Sequence, residues 1–172
     1  MDTGWHIPTV LISNNWLSNS ISAINVSDDG RALLGSSTEK TFEAGGYNFM
    51  IPSGATIDGI EVQAEISASG VLSTFSLRYS LSWNSGSSYT STKTNSVTGT
   101  TDTVKTYGGS ADDWGHTSWG WSELADGTFR IKAAGSDAGV GGPYLRLDYM
   151  AVKIYYTETY KPDFMPFFRI RK

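Results

Sequence analysis

Two stretches of strict alternation set the first limit on this chain. Ile60, Val62, Ala64 and Ile66 alternate with Glu61, Gln63 and Glu65. Phe75, Leu77, Tyr79, Leu81 and Trp83 alternate with Ser76, Arg78, Ser80 and Ser82. A period of two puts one set of side chains on a buried face and the other in water, as in a half-buried strand. Phe129, Ile131 and Ala133, alternating with Arg130 and Lys132, repeat the pattern. Helical periodicity is nearly absent. The expected fold is all-β, an antiparallel β-sandwich and most simply a jelly roll.

Turn residues punctuate the strands at Asp28-Asp29-Gly30, Pro52-Ser53-Gly54, Asn84-Ser85-Gly86-Ser87 and Thr98-Gly99-Thr100. Short strands are expected at residues 31–34, 38–42 and 47–51, and two exposed strands in the Thr/Ser-rich run 88–104. Residues 15–26 favour loop or short strand, and 135–143 read as a glycine-rich loop. Residues 145–156 make a long last strand whose apolar set changes face, from Leu145, Leu147 and Tyr149 to Met150, Val152, Ile154 and Tyr156. A bulge near Tyr149-Met150, or burial on both faces, would account for the change.

At 172 residues the chain fits one sandwich domain, residues 1–160, large enough for a core without staples; zero cysteines exclude disulfides. Residues 1–17, with Trp5, Ile7, Val10, Leu11, Ile12 and Trp16, are either an N-terminal arm or an edge strand. Residues 161–172 differ in kind. Pro162 and Pro166 bar them from a central strand, yet Phe164, Phe167, Phe168 and Ile170 are too apolar for a solvated tail. They read as a basic, non-globular C-terminal arm, docked either on its own domain or on a partner. Phe164, Phe167, Phe168, Arg169, Ile170 and Arg171 are its candidate contacts. The arm carries Lys161, Arg169, Arg171 and Lys172 against Asp163, a net +3, leaving 9 basic and 16 acidic residues before it. That acidic body argues against binding a phosphate backbone. No apolar run approaches the roughly 18 residues of a membrane span. The first 13 residues also lack the layout of a signal peptide. The chain is expected to stay in the cytoplasm or to leave it by lysis.

Residues 107–124 hold Trp114, Trp119 and Trp121, four glycines, Asp112-Asp113 and His116. So many indoles either close one end of a core or form a recognition surface. Catalytic readings fail on chemistry. His116-Thr-Ser118-Trp-Gly120 has histidine where a nucleophile elbow needs glycine. Glu61 and Glu65 share a strand face about 13 Å apart, beyond the spacing of a glycosidase pair. His6 and His116, without thiols, make a poor site for zinc. Asp112, Asp113 and Asp137 are weak calcium candidates, read first as turn formers. Asp148, if inward, is expected to take hydrogen bonds from a loop. No enzyme, metal or cofactor is expected.

Several segments in order resemble a known module: Phe49-Met-Ile-Pro-Ser-Gly-Ala-Thr-Ile-Asp-Gly-Ile-Glu-Val, Tyr107-Gly-Gly, Asp113-Trp-Gly-His-Thr-Ser-Trp, Phe129-Arg-Ile-Lys-Ala, and Leu147-Asp-Tyr-Met-Ala-Val-Lys-Ile-Tyr-Tyr. Together, over residues 45–157, they resemble a β-sandwich module of tailed-bacteriophage and prophage virion proteins. The chain departs from that pattern at Gly120-Trp121-Ser122 and in its basic tail. The resemblance implies a capsid decoration or head-fibre protein, or a tail-fibre or adhesin module. It would be assembled in the host cytoplasm, sit on the virion surface, contact other virion proteins and form a homo-oligomer, by analogy a trimer. On this reading Trp114 and Trp119 cap the core, and Trp121, outside the match, is exposed. The alternative is a carbohydrate-binding module that stacks a host-surface glycan on Trp121.

Overall fold

The computed structural model describes residues 1–17, 20–36, 38–70, 74–137 and 143–159, with Asp137 by its backbone only. The C-terminal arm, including Phe164, Phe167, Phe168, Arg169, Ile170 and Arg171, lies outside the described residues. Nine strands are described: β1 (Val10–Asn14), β2 (Ala32–Leu34), β3 (Lys40–Gly45), β4 (Thr56–Ala68), β5 (Thr74–Ser82), β6 (Lys93–Thr98), β7 (Thr103–Gly108), β8 (Arg130–Asp137) and β9 (Leu145–Thr157). They form two sheets, ordered β1-β3-β8-β5-β6 and β2-β9-β4-β7, and every pairing is antiparallel. Without β1, the orders 3-8-5-6 and 2-9-4-7 are the two sheets of a jelly roll, as the alternation predicts.

The inner faces are the apolar sets read from sequence. Ile60, Val62, Ala64 and Ile66 of β4 oppose Ile154, Val152, Met150 and Leu147 of β9, and all are buried. Phe75, Leu77, Tyr79 and Leu81 of β5 face them from the other sheet, together with Ile131 and Phe42. Full burial of each such aliphatic or aromatic side chain contributes about 1.5–3 kcal/mol. The face change in β9 comes from a bulge. Glu65 pairs with Tyr149 and Ile66 with Leu147, so Asp148 is the extra residue. The insertion shifts the alternation by one, and Tyr149 turns outward opposite Glu65 instead of joining the inner set.

Three expectations need correction. Residues 47–51 are not a strand: Asn48 (φ 50°) and Met50 (φ 54°) both take left-handed backbone. That geometry stacks Tyr47 and Phe49 on the core side, 5.4 Å apart and within 1° of parallel, and throws Met50 outward. Gly135 belongs to β8, whose pairing with β3 and β5 runs beyond it. Residues 21–23, within the stretch read as loop or short strand, form a single 3-10 turn capped by Ser20.

The N-terminal segment is paired at sheet edges. Thr3 N donates to Ile154 O at 3.0 Å, and His6 and Val152 exchange backbone bonds of 2.8 Å each. Residues 1–6 thus extend the edge of β9 beyond the short β2. The chain then crosses to the other sheet as β1, where Val10 meets Gly45.

Candidate functional site

Residues 107–124 begin as the end of β7 and then fold over one end of the sandwich. The order is built around a single carbonyl, Ile60 O, which accepts from Gly109 N at 3.1 Å and from Trp114 Nε1 at 2.9 Å. Ile60 N in turn donates to Asp112 O at 3.0 Å. Such close approach needs missing side chains. A Cβ on Gly59 would stand 2.6 Å from the carbonyl carbon of Ser110 and 2.7 Å from Ala111 N. One on Gly108, whose φ is +78°, would meet Ile60 O and lie 2.6 Å from Trp114 Nε1. Trp114 is 2% exposed and Trp119 6%, so both indoles plug the core, as the resemblance implies.

The aspartates of this stretch are spent on its turns. Asp112 Oδ1 accepts from Trp114 N at 2.9 Å and its Oδ2 meets Lys93 Nζ at 2.7 Å. Asp113 Oδ1 accepts from Gly115 N at 2.8 Å. Burial alone would raise the Asp112 carboxyl, but Lys93 and the Trp114 N–H outweigh it and hold the pKa below its usual value. No cluster of three His, Cys, Asp or Glu occurs among the described residues. Asp137 lies elsewhere, on β8 opposite Phe75.

His116 serves as packing material between indoles. Its ring stacks on Trp83 at 4.0 Å and meets Trp119 edge-on at 4.7 Å. Trp119 leads on to Phe129, and Phe129 to Phe49 and Tyr47, at centroid distances of 5.4 to 6.0 Å. Glu123 Oε2 lies 3.2 Å from His116 Nε2 and accepts from Gly120 N at 2.8 Å. That tether fixes the 3-10 turn Trp121–Leu124, which buries Leu124 and points Trp121 outward, 43% exposed.

Beside Trp121 lies the candidate site, an open groove of about 250 Å³ lined by Asn48, Phe49, Met50, Ile51, Leu124, Ala125 and Asp126. Its aromatic floor is the outer end of the plug. A single carboxylate, Asp126, lines it among the described residues, and that group accepts from Asn48 N at 2.5 Å. Met50 is 82% exposed. Sequence reasoning singled out Trp121 but missed Asn48 and Met50, because a strand at 47–51 gives no reason to place that segment beside Asp126, where Asn48 N is held. Two left-handed non-glycine residues in one short segment are the structural signal.

The other acids weighed as candidates, Glu61, Glu65 and Asp148, are engaged away from this groove. Glu61 holds Lys153 Nζ at 2.9 Å and accepts from Tyr155 OH at 2.6 Å, while Glu65 accepts from Ser27 Oγ. Asp148 is buried at its bulge and accepts from Asp29 N at 3.2 Å, the loop hydrogen bond expected of it. Burial raises its pKa, helped by Glu65 and opposed by Arg31 and the loop N–H groups.

No family model and no curated protein matches this chain. Among solved structures it is similar to the N-terminal CBM22-1–GH10 modules of endo-1,4-β-D-xylanase 10B from Clostridium thermocellum, complexed with xylohexaose. The TM-score is 0.43 at 10% identity, over 92% of this chain and 27% of that one.

Proposed function

We propose that this chain is a non-enzymatic structural protein of a tailed-bacteriophage particle, a capsid decoration or head-fibre protein that displays its jelly roll outward and docks through a terminal arm. One observation carries the reading beyond the sequence resemblance. The segments that resemble the virion module are far apart in the chain but form one spatial unit. Gly59-Ile60, Gly108-Gly109 and Asp112–Trp114 interlock around Ile60 O, and the plug they make stacks onward to Phe129. The residues of the stretch are absorbed in holding the sandwich shut, which favours a scaffold over a catalytic site. The anchoring surface on this reading is the basic arm of residues 161–172, with the acidic body facing outward. A chain ending at Tyr160 should fold normally and lose its binding to particles stripped of this protein. Binding at full occupancy would refute the arm as anchor. Trimer formation is checked by light scattering of the purified chain.

A second reading is favoured by one feature, the exposure of Trp121 at a groove that Asn48 and Asp126 also line. An indole face with an amide and a carboxylate at its rim is suited to stack and hydrogen-bond a sugar ring. Glycan-array binding that is lost in Trp121→Ala would support it, and an array without signal would remove it.

A further inference from the structure

The Met50–Trp121 groove is apolar yet open, and the described chain ends beside Gly54, a few residues from its lining. Thr159, the last described residue, donates its Oγ1 to Gly54 O at 2.9 Å. Gly54 is three residues past Ile51, which lines the groove. Two residues on from Gly54, Thr56 forms a bridge with Gly120, the neighbour of Trp121. The sequence continues as Tyr160-Lys-Pro-Asp-Phe-Met-Pro-Phe-Phe-Arg-Ile-Arg-Lys. Five residues of extended chain reach about 17 Å, enough to carry Phe164 from Thr159 past the Thr56–Gly120 bridge to the indole of Trp121.

Size, charge and stiffness agree with that occupant. A cavity of about 150 Å³ accepts a benzene ring, so about 250 Å³ has room for one phenyl side chain and part of a second. Residues 164–168 are uncharged, and the basic Arg169, Arg171 and Lys172 follow directly after them. Asp126 lines the groove, and Asp58 stands on the exit path, where its Oδ2 accepts from Thr157 Oγ1 at 2.8 Å. Pro162 and Pro166 each fix one φ, so less freedom is lost when the segment is laid down.

We propose that residues 164–168 of the same chain occupy this groove, with phenylalanine rings laid against Met50 and Trp121. A tether this short gives the segment an effective concentration on the order of millimolar, so its own groove outcompetes that of a second copy. A seated arm keeps its apolar side chains out of water until a partner competes for them. It also fills the place a sugar would take on the second reading.

The absence of cysteine makes the test clean. Met50→Cys combined with Met165→Cys leaves every phenylalanine in place. Under mild oxidation, or with a short bis-maleimide, it should close within one chain and run as a compact monomer. Mixed single variants at the same dilution should give no dimer. Val104→Cys with Met165→Cys is the control. Val104 is 51% exposed on β7 opposite Glu65, nine residues along β4 from Thr56 and so about 30 Å away. The proposal is overturned if the Met50 pair stays open, if it closes only between chains, or if the Val104 pair closes equally fast. Circular dichroism of each variant verifies that the fold is kept.

Discussion

Gly108 and Gly109 are adjacent in sequence, yet alanine should be ruinous at one and tolerated at the other. At Gly108 the backbone is left-handed, and an added Cβ would run into Ile60 O and the Trp114 ring. At Gly109 nothing lies within 4 Å of the same atom, and its φ is outside the left-handed range. The left-handed conformation costs a residue with a Cβ about 1–2 kcal/mol. Forcing the contact adds about 1–3 kcal/mol, because Ile60 O is backbone in a central strand and cannot swing aside. Relief by moving Trp114 gives up its bond to Ile60 O, about 1 kcal/mol. Gly108→Ala should therefore lose about 4 kcal/mol, a large part of the roughly 5–15 kcal/mol that holds a domain together. Gly109→Ala should stay within about 1 kcal/mol of the parent, on the stabilising side if its backbone suits alanine. Urea unfolding followed by tryptophan fluorescence measures both, provided the m-value is unchanged. Equal losses for the two variants would refute the interlock around Ile60 O.

Trp121→Ala, at a side chain 43% exposed on the described surface, should cost clearly less than Trp114→Ala, which should lose about 3–5 kcal/mol. Asp102 and Asp148 should respond to pH with opposite signs. Burial alone would raise Asp102, but hydrogen bonds from Arg31 and Ser67 hold its pKa below the usual value. The stability lost in Asp102→Asn is therefore present above the unfolded pKa and fades as pH falls through the lower folded one. Asp148 is raised by burial, so its charge costs stability at neutral pH. Asp148→Asn should gain there, and the gain should vanish as pH drops below the unfolded value of about 3.9. Unfolding curves from pH 3 to 7 separate the two. Finally, the Met50→Cys/Met165→Cys chain locked by oxidation should fail to bind stripped particles and regain binding on reduction.

Much of this architecture is legible from period alone. The inner faces of β4 and β5 are Ile60–Ile66 and Phe75–Leu81 as the alternation places them, because a half-buried strand has one way to satisfy both faces. The bulge in β9 was signalled by the change of face, although the inserted residue is Asp148 and not Tyr149 or Met150. A polar residue buried at a bulge escapes an argument based on apolar spacing, since its partner is a loop N–H some 119 residues away in sequence. The groove escaped for a related reason. Left-handed backbone at Asn48 and Met50 carries no glycine to announce it, so a run that reads as strand forms instead a loop held against Asp126. Trp121 was identifiable because it stands outside the matched segments. The pairing of residues 1–6 to β9 left no periodic trace, being made almost wholly of backbone bonds.

That edge pairing gives the molecule a direction of weakness. Met1 sits opposite Tyr156, joined by bonds of 2.9 and 3.1 Å, and His6 opposite Val152. Tension between residue 1 and residue 159 would part these bonds one at a time, as a zipper opens, and need little force at any instant. Tension along β9 against the rest of the body would instead load in parallel its twelve register pairs with β4. A sandwich tethered by its C-terminal end therefore takes the pull along its strong axis and is spared along the one that peels.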